Sequence, residues 1–179
     1  VNVWGYDLDH DPRQVRSSIG IVPQEVILDP FFSPKKLLEL HAGLYGVSKK
    51  DRITNEILKM ISLESEANTY ARSLSGGMKR RLLIGKAMVH RPPILVLDEP
   101  TAGLSPAETN AVTELVRELP EDITVILIEH DMDVAFELGD RVTVLHAGGI
   151  LADGSPAEIK EDQRVLEVYL GSDSYSEKS

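Results

Sequence analysis

The sequence contains no cysteine, few aromatic side chains and no long apolar run. The absence of cysteine from the 179 residues excludes disulfide bonds, zinc–thiolate sites and a cysteine nucleophile within them. The longest apolar runs, at 94–97 and 125–128, are far shorter than the ~20 residues that a membrane-spanning helix needs. A formal net charge of −10 argues against nucleic acid as a partner. Any association with a membrane is therefore expected to come through another protein.

The composition that is present is typical of a single globular domain. Hydrophobic residues make up 42% of the chain and charged residues 27%, which is ordinary for a folded protein in water. A chain of 179 residues is long enough to bury a sizeable core. No long linker or internal repeat is visible in it. We therefore expect one structural unit.

One stretch, residues 74–104, carries most of the chemical information. Ser75, Gly76 and Gly77 open a helix, where unbonded backbone N–H groups and the helix dipole favour an anion such as phosphate. Glycine at this place lets the backbone approach the anion closely. On their own, these three residues are more often a helix cap or a turn. The helix is expected to carry basic residues on one side and apolar residues on the other; the basic ones are Lys79, Arg80 and Arg81.

Two acids follow the next apolar run. Residues 94–97 come directly after two prolines and predict a strand that is buried on both faces of a parallel sheet. Asp98 and Glu99 then lie at the carboxyl end of that strand, where such sheets bind their ligands. An acid there can hold Mg²⁺, and its neighbour can act as a general base toward water. Acids in this position are also common as plain loop residues.

The order of these features strongly resembles that of the ABC-type ATPases. LSGG with its basic helix resembles their signature motif, and ILVLDEP resembles their Walker B motif. The resemblance implies an α/β fold of the P-loop NTPase type, with a mostly parallel sheet flanked by helices and an inserted helical subdomain. It divides the chain into a core segment at 1–28, a helical subdomain at 29–90, a second core segment at 91–171 and a disordered tail at 172–179. The resemblance covers nearly all of this chain but only the later two-thirds of a whole ATPase domain, so we expect a partial domain.

Two further polar residues gain a meaning from the resemblance. Taken alone, Gln24 after a short apolar strand predicts a polar loop residue, and His130 after a second apolar strand predicts a structural histidine. By their places in the chain they match the Q-loop glutamine and the H-loop histidine of the family. The resemblance then makes Gln24 a sensor of Mg²⁺ and of the attacking water. It makes His130 a contact to the γ-phosphate of ATP.

The resemblance also assigns the rest of the site and the partners. Glu99 would be the general base and Asp98 the Mg²⁺ ligand. Ser75, Gly76 and Gly77 would contact ATP held by a second ATPase subunit in a head-to-tail dimer. Transmembrane permease subunits are the other implied partners, and they would hold the protein at the cytoplasmic face of the cell membrane. ATP and Mg²⁺ are the implied cofactors, and nucleic acid is not an implied partner.

The segment after the Walker B motif predicts both a helix start and an interface. Ser105, Pro106 and Glu108 form a capping box with proline at the first helical position. In most of the family, the residue at position 105 is an aspartate of the D-loop that reaches across the dimer interface. Gly103 lies in the same loop. The serine found here puts that polar contact between subunits in doubt.

One motif of the family is missing from the 179 residues. The phosphate-binding P-loop, GxxxxGK[ST], does not occur in them, and the nearest glycine–lysine cluster belongs to the signature motif. We expect the P-loop to lie upstream of Val1. We also expect this chain alone to show negligible ATPase activity, because phosphate positioning supplies most of the catalysis of phosphoryl transfer. Without the upstream elements that normally cover the sheet, some apolar sheet surface should be exposed.

Several alternatives stay open at this level. A soluble ABC ATPase of DNA repair or of ribosomes, and a truncated non-catalytic module that only dimerises or binds a transporter, are the rivals. Phe31 and Phe32 predict core packing or else contact with a transmembrane partner. The two halves also differ: the part up to about Thr101 resembles exporter-type ATPases, and the part from about Ala102 resembles importer ATPases for branched-chain amino acids or urea. A mosaic joined at PTAGL is therefore a hypothesis.

Overall fold

Two compact units make up the described part of the chain. The structure, a computed structural model, describes residues 1–169, with the first unit ending at Glu129 and the second beginning at His130. The disordered tail that the sequence predicts at 172–179 lies outside the described residues. Across residues 1–169, no helix combines the length and the hydrophobicity that crossing a membrane requires.

The first unit is an α/β arrangement with short strands and longer helices. Two single-turn 3-10 helices, Lys49–Asp51 and Ala71–Ser73, lie among its connections. In chain order its strands and α-helices are β1 (Asn2–Val3), β2 (Tyr6–Asp7), α1 (Pro12–Ser17), β3 (Ile19–Val22), α2 (Pro34–Leu44), α3 (Thr54–Met60), α4 (Gly76–Ala87), β4 (Ile94–Asp98), α5 (Pro106–Arg117) and β5 (Thr124–Ile128).

A three-stranded parallel sheet, in the order β3–β4–β5, organises this unit. Its register pairs Ile21 with Val96 and Val96 with Ile126. Parallel neighbours need crossover connections, and here α2, α3 and α4 separate β3 from β4, whereas α5 alone separates β4 from β5. Because all three strands run in the same direction, the residues that follow them in the chain meet at one edge of the sheet.

The two faces of the sheet differ in burial. Val22, Leu95 and Leu97 are completely buried on one face. On the other face, Ile21 is 63% exposed and Ile126 is 49% exposed. The prediction that residues 94–97 form a strand buried on both faces is therefore wrong, because β4 alternates between buried and partly covered positions. The expected exposure of apolar sheet surface is confirmed.

The helices α2, α3 and α4 pack on one another and form the helical part of the unit. Their shared core consists of aliphatic side chains that are almost completely inaccessible: Leu38, Ile57, Leu58, Ile61, Leu82 and Ile84. Such burial is worth about 1.5–3 kcal/mol per side chain relative to exposure. Of the two roles that the sequence left open for Phe31 and Phe32, core packing is not observed, because Phe31 is 65% exposed and Phe32 is 38% exposed.

Helix starts follow the serine–proline signals in the sequence. Ser33 caps α2 and accepts a hydrogen bond from the backbone N–H of Lys36. Ser105 and Glu108 form the capping box that the sequence predicts, since each side chain bonds the backbone N–H of the other residue. The same pattern recurs at Ser155 in the second unit. These caps satisfy helix N–H groups that have no partner inside the helix.

The second unit is a β-hairpin covered by three short helices. In chain order, the elements of this unit are α6 (Met132–Leu138), β6 (Val142–His146), β7 (Gly149–Gly154), α7 (Pro156–Glu161) and α8 (Gln163–Tyr169). The strands β6 and β7 are antiparallel, with a register shift between Val144 and Leu145. The core of this unit contains Val144, Ala152, Ile159 and Val165, with Met132, Phe136, Val142 and Leu151 packed against it.

Candidate functional site

The side chains of Gln24 and Glu99 meet at the carboxyl edge of the parallel sheet. Gln24 is the second residue after β3, and Glu99 directly follows the neighbouring strand β4. The amide Nε2 of Gln24 donates a hydrogen bond of 2.6 Å to Oε2 of Glu99. A carboxylate only accepts, so the amide nitrogen has to face Glu99, and the amide oxygen of Gln24 is then available to ligate a cation. The structure thus brings together two residues that the sequence placed in one site.

The backbone of Glu99 is held in an uncommon conformation. Its φ angle is 42°, in the left-handed region that non-glycine residues rarely adopt. Its N–H donates to the carbonyl oxygen of Ile128 at 2.8 Å, so the end of β5 fixes this conformation. Left-handed non-glycine residues cost about 1–3 kcal/mol and concentrate at functional sites. The backbone conformation of Glu99 and the hydrogen bond from Gln24 together set the direction of its carboxylate.

Asp98 is the last residue of β4, opposite Ile128 in β5. The turn that follows it is tied to the end of β5, because Oε1 of Glu129 accepts hydrogen bonds from the N–H and the hydroxyl of Thr101 at 3.1 and 2.7 Å. Thr101 is buried. These contacts anchor the loop that carries both acids of the predicted site.

No three side chains of His, Cys, Asp or Glu between residues 1 and 169 come together as a group that could hold a metal ion by itself. Mg²⁺ does not require such a group, since it usually keeps several waters and is bound through one or two carboxylates together with substrate phosphates. Asp98 and the amide oxygen of Gln24 are oxygen donors at one edge of the sheet. This donor set fits Mg²⁺ bound with a nucleotide.

Arg80 belongs to this region, although the sequence pattern predicts it on the exposed side of α4. It was predicted on a basic outer side of α4, but its side chain is only 3% exposed. Its guanidinium donates to the backbone oxygens of Pro23 at 3.0 Å and of Gln24 at 2.8 Å. The helical period could have predicted this burial. Arg80 lies three residues after buried Gly77 and four before buried Ile84, so the three residues share one face of the helix.

The N-terminus of α4 does bind an oxyanion, and the anion comes from the chain itself. Oε1 of Glu108 accepts hydrogen bonds from the hydroxyl of Ser75 at 3.0 Å and from the N–H of Gly77 at 2.8 Å. These groups belong to the Ser75–Gly77 segment that the sequence assigned to ATP held in trans. Gly77 has to be glycine for this approach, since a Cβ there would lie 2.8 Å from Cγ of Glu108. Gly76, in contrast, has no neighbour nearer than 3.6 Å to such a Cβ.

The same carboxylate also closes the capping box of α5. Its second oxygen accepts from the N–H and the hydroxyl of Ser105, at 3.2 and 3.0 Å. The N–H of Gly77, then the backbone and hydroxyl of Ser105 and the hydroxyl of Ser75, lower the pKa of Glu108 to about 2. One charged group therefore links the starts of α4 and α5. Gly103 lies in the preceding turn with a φ angle of 71°, and the interface role of Ser105 and Gly103 stays a prediction.

His130 opens the second unit. It directly follows Glu129 in the chain and precedes Asp131, which caps α6 by accepting from the backbone N–H groups of Asp133 and Val134. The cap that the sequence predicts at Asp131 is confirmed. The contact of His130 with a γ-phosphate stays a prediction.

Known proteins resemble this chain along most of its length. Residues 1–102 match the family model described as ABC transporter, and residues 150–175 match the one described as Branched-chain amino acid ATP-binding cassette transporter. The Nod factor export ATP-binding protein I of Rhizobium etli is 35% identical over 177 residues, which are 96% of this chain and 56% of that protein. The Linearmycin resistance ATP-binding protein LnrL of Bacillus subtilis is 33% identical, over 89% of this chain and 52% of its own length.

A solved structure confirms the fold. The ATP-binding cassette MJ0796, in a dimeric post-hydrolysis state bound to ADP and Pi, superposes with a TM-score of 0.70 and 30% identity, over 84% of this chain and 68% of that one. This agreement confirms the predicted α/β architecture of the P-loop NTPase type. The chain spans about half the length of the two bacterial relatives it matches.

Proposed function

This chain belongs to the ATP-binding subunits of the ABC transporter family, and we propose that it supplies the hydrolytic edge of a subunit that couples ATP hydrolysis to transport. The family is one of ATPases, as the resemblance to a structure in a post-hydrolysis state indicates. The observation that carries the proposal is the 2.6 Å hydrogen bond from Gln24 to Glu99, directly beside Asp98. It joins an amide and a carboxylate at the ligand-binding edge of a parallel sheet, and Asp98 precedes that carboxylate in the chain.

Each of these groups has a proposed role. Glu99 accepts a proton from the attacking water, and Gln24 keeps its carboxylate oriented toward that water. Asp98 and the amide oxygen of Gln24 would hold Mg²⁺ together with the phosphates. The bound cation would neutralise charge that develops on the transferred phosphoryl group. His130 would contact the γ-phosphate, as its place after β5 in the sequence suggests.

A second subunit completes the proposed site. Ser75, Gly76 and Gly77 would contact ATP bound to that subunit, with Ser105 and Gly103 near the dimer interface. In the isolated chain, the carboxylate of Glu108 already occupies the hydroxyl of Ser75 and the N–H of Gly77. Binding of a phosphate in trans would therefore have to displace or rearrange this carboxylate, because two anions do not share the same donors.

The loop after Gln24 supports the proposed contact with a permease. Its apolar residues Val26, Ile27 and Phe31 are 41, 66 and 65% exposed. Arg72 lies over the ring of Phe31, with its guanidinium carbon 5.7 Å from the ring centroid. Exposed apolar side chains grouped in one loop are typical of a protein-binding surface. We propose that permease subunits bind here and thereby hold the protein at the cytoplasmic face of the membrane.

One observation favours a second candidate function. The phosphate-binding donors at the start of α4 are already bonded to Glu108. A non-catalytic module that only dimerises or binds a transporter would have this property. The strained backbone of Glu99 and its contact with Gln24 favour the catalytic alternative.

The deciding experiment begins with the coding DNA upstream of Val1. The proposal expects an in-frame GxxxxGK[ST] there, and the protein made from that reading frame should hydrolyse ATP in a Mg²⁺-dependent manner. The substitution Glu99→Gln should lower kcat by about 100-fold or more, since it removes the general base. The 179 residues alone should show negligible turnover.

The matched control for this experiment is Glu121→Gln. Glu121 is an exposed residue just before β5, at the opposite edge of the same sheet, and its replacement makes the same chemical change away from the site. Its kcat should stay within about twofold of the wild type. Equal activity in the Glu99→Gln protein would reject the assignment of the base. An upstream sequence without a P-loop would favour the non-catalytic module.

A further inference from the structure

We propose that Arg80 is a positioning residue, whose guanidinium fixes the backbone at Pro23 and Gln24 and so holds the Gln24 amide against Glu99. The inference deepens the proposed function and rests on it for the catalytic meaning of the Gln24–Glu99 contact. The geometry of the contact does not depend on that function. The guanidinium of Arg80 bonds the backbone oxygens of Pro23 and Gln24, so it acts on the site through Gln24.

The first argument is the match between the guanidinium and its target. Two nitrogens of one side chain, Nη1 and Nη2, donate to two successive backbone oxygens, those of Pro23 and Gln24, at 3.0 and 2.8 Å. A planar fork that bonds both ends of one peptide segment restrains its rotation as well as its position. The amide of Gln24 projects from this segment to Glu99. A lysine at position 80 would keep the charge but would lose the fork.

The second argument is the cost of burying this charge. Burial lowers the pKa of Arg80, and the negative charge of Glu129 only partly opposes that effect. Within the described residues, Nε of Arg80 and Oε2 of Glu129 are both buried without a hydrogen-bond partner, so the two residues do not form a closed ion pair. Buried ionic groups are weak evidence for stability, because a whole buried ion pair can often be replaced by apolar residues without loss of stability. Stability alone therefore gives little reason for an arginine here, whereas positioning of Gln24 does.

The third argument is the contrast with Arg81, the next residue on the same helix. Nη1 of Arg81 also donates to a backbone oxygen, that of Ile61, at 2.7 Å. Ile61 directly follows α3, in the helical part of the unit. The two arginines thus make the same kind of bond to different segments. Arg81 is the matched control for Arg80.

The test is a nuclear magnetic resonance experiment on the 179-residue chain, which needs no nucleotide and no turnover. The side-chain NH₂ resonances of Gln24 report on its hydrogen bond to Glu99, because a bond to a carboxylate differs from one to an amide. Glu99→Gln is introduced into the wild type, into Arg80→Lys and into Arg81→Lys. The wild type and Arg81→Lys should show a clear shift of the Gln24 resonances when Glu99 is changed. In Arg80→Lys this response should be lost.

A second variant covers the possibility that Arg80→Lys does not fold. Arg80→Met has a similar length and avoids burying a lysine ammonium group, and it should also lose the response because it has no donor for the backbone oxygens of Pro23 and Gln24. A response in folded Arg80→Lys or Arg80→Met as large as in the wild type would overturn the inference. An equal loss in Arg81→Lys would do the same, since it would indicate a general loosening of α4. The kcat of Glu99→Gln tests the proposed function separately. The positioning role of Arg80 and the catalytic role of Glu99 can therefore be rejected independently of each other.

Discussion

The hydroxyl of Ser75 donates a hydrogen bond of 3.0 Å to the carboxylate of Glu108, a residue 33 positions further along the chain. The N–H of Gly77 bonds the same oxygen at 2.8 Å. A helix N-terminus that suits a phosphate therefore holds an internal carboxylate, and this carboxylate also caps the next helix through Ser105. The start of α4 and the start of α5 are consequently linked by one negative charge.

We expect this link to make stability depend on pH at acid values. The pKa of Glu108 is lowered from 4.5 to about 2, chiefly by the N–H of Gly77. Because the pKa in the folded state lies below its ordinary value, the ionised carboxylate stabilises the fold above pH 4.5, and this contribution is lost as the pH falls toward 2. The urea midpoint of Glu108→Gln should therefore be lower than that of the wild type at neutral pH, and the difference should shrink toward pH 2.

Glu158→Gln is the matched control for that measurement. Glu158 closes an identical Ser-Pro-Ala-Glu capping box with Ser155, at the start of α7 in the second unit. Both variants should keep a capping box, which glutamine also forms, but lose its charge, and only Glu108→Gln should also weaken the link to Ser75 and Gly77. An equal pH dependence in the two variants would contradict a stabilising role for that link.

Alanine substitutions at the two glycines of the signature motif should have different effects. A Cβ at Gly77 would lie 2.8 Å from Cγ and 2.9 Å from Cβ of Glu108, atoms that cannot move away while the capping box is intact. Gly77→Ala should therefore destabilise the chain by about 1–3 kcal/mol, as overpacking usually does. At Gly76 the nearest atom is Cδ2 of Leu104, at 3.6 Å, which is ordinary contact.

Gly76→Ala should accordingly leave the free energy of unfolding unchanged or raise it slightly, because alanine is the better helix former. Urea unfolding of the two variants, measured side by side, checks the comparison. Equal destabilisation by both substitutions would mean that the space beside Gly77 is not the limiting factor.

The helical part of the first unit should depend on Leu38 and not on Leu44, although both belong to α2. Leu38 is completely buried, whereas Leu44 is 82% exposed. Leu38→Ala should lower the free energy of unfolding by about 2–5 kcal/mol, through lost burial and a residual cavity. Leu44→Ala should stay within about 0.5 kcal/mol of the wild type. A large effect of Leu44→Ala would indicate that this residue is covered in solution.

Much of the local structure was predictable from the sequence. The capping boxes at Ser105 and Ser155, the cap at Asp131 and the parallel strands all follow from short-range patterns, and the structure confirms them. The meeting of Gln24 with Glu99 was also predictable, because residues that follow parallel strands share one edge of the sheet. The burial of Arg80 was missed, since a charged side chain between Lys79 and Arg81 predicts a solvated face, although the helical period places Arg80 with buried Gly77 and Ile84.

By itself, the sequence determined the family, the order of the elements and the edge of the sheet where the chemistry is expected, because these depend on motifs and on neighbours within a few residues. Only the tertiary structure decided which partners the buried and polar groups find. Arg80 bonds oxygens 56 and 57 positions away, and Glu108 reaches back 33 positions to Ser75. Such contacts depend on which elements the fold brings together, and short-range patterns in the sequence do not specify a side chain's partner in a distant element.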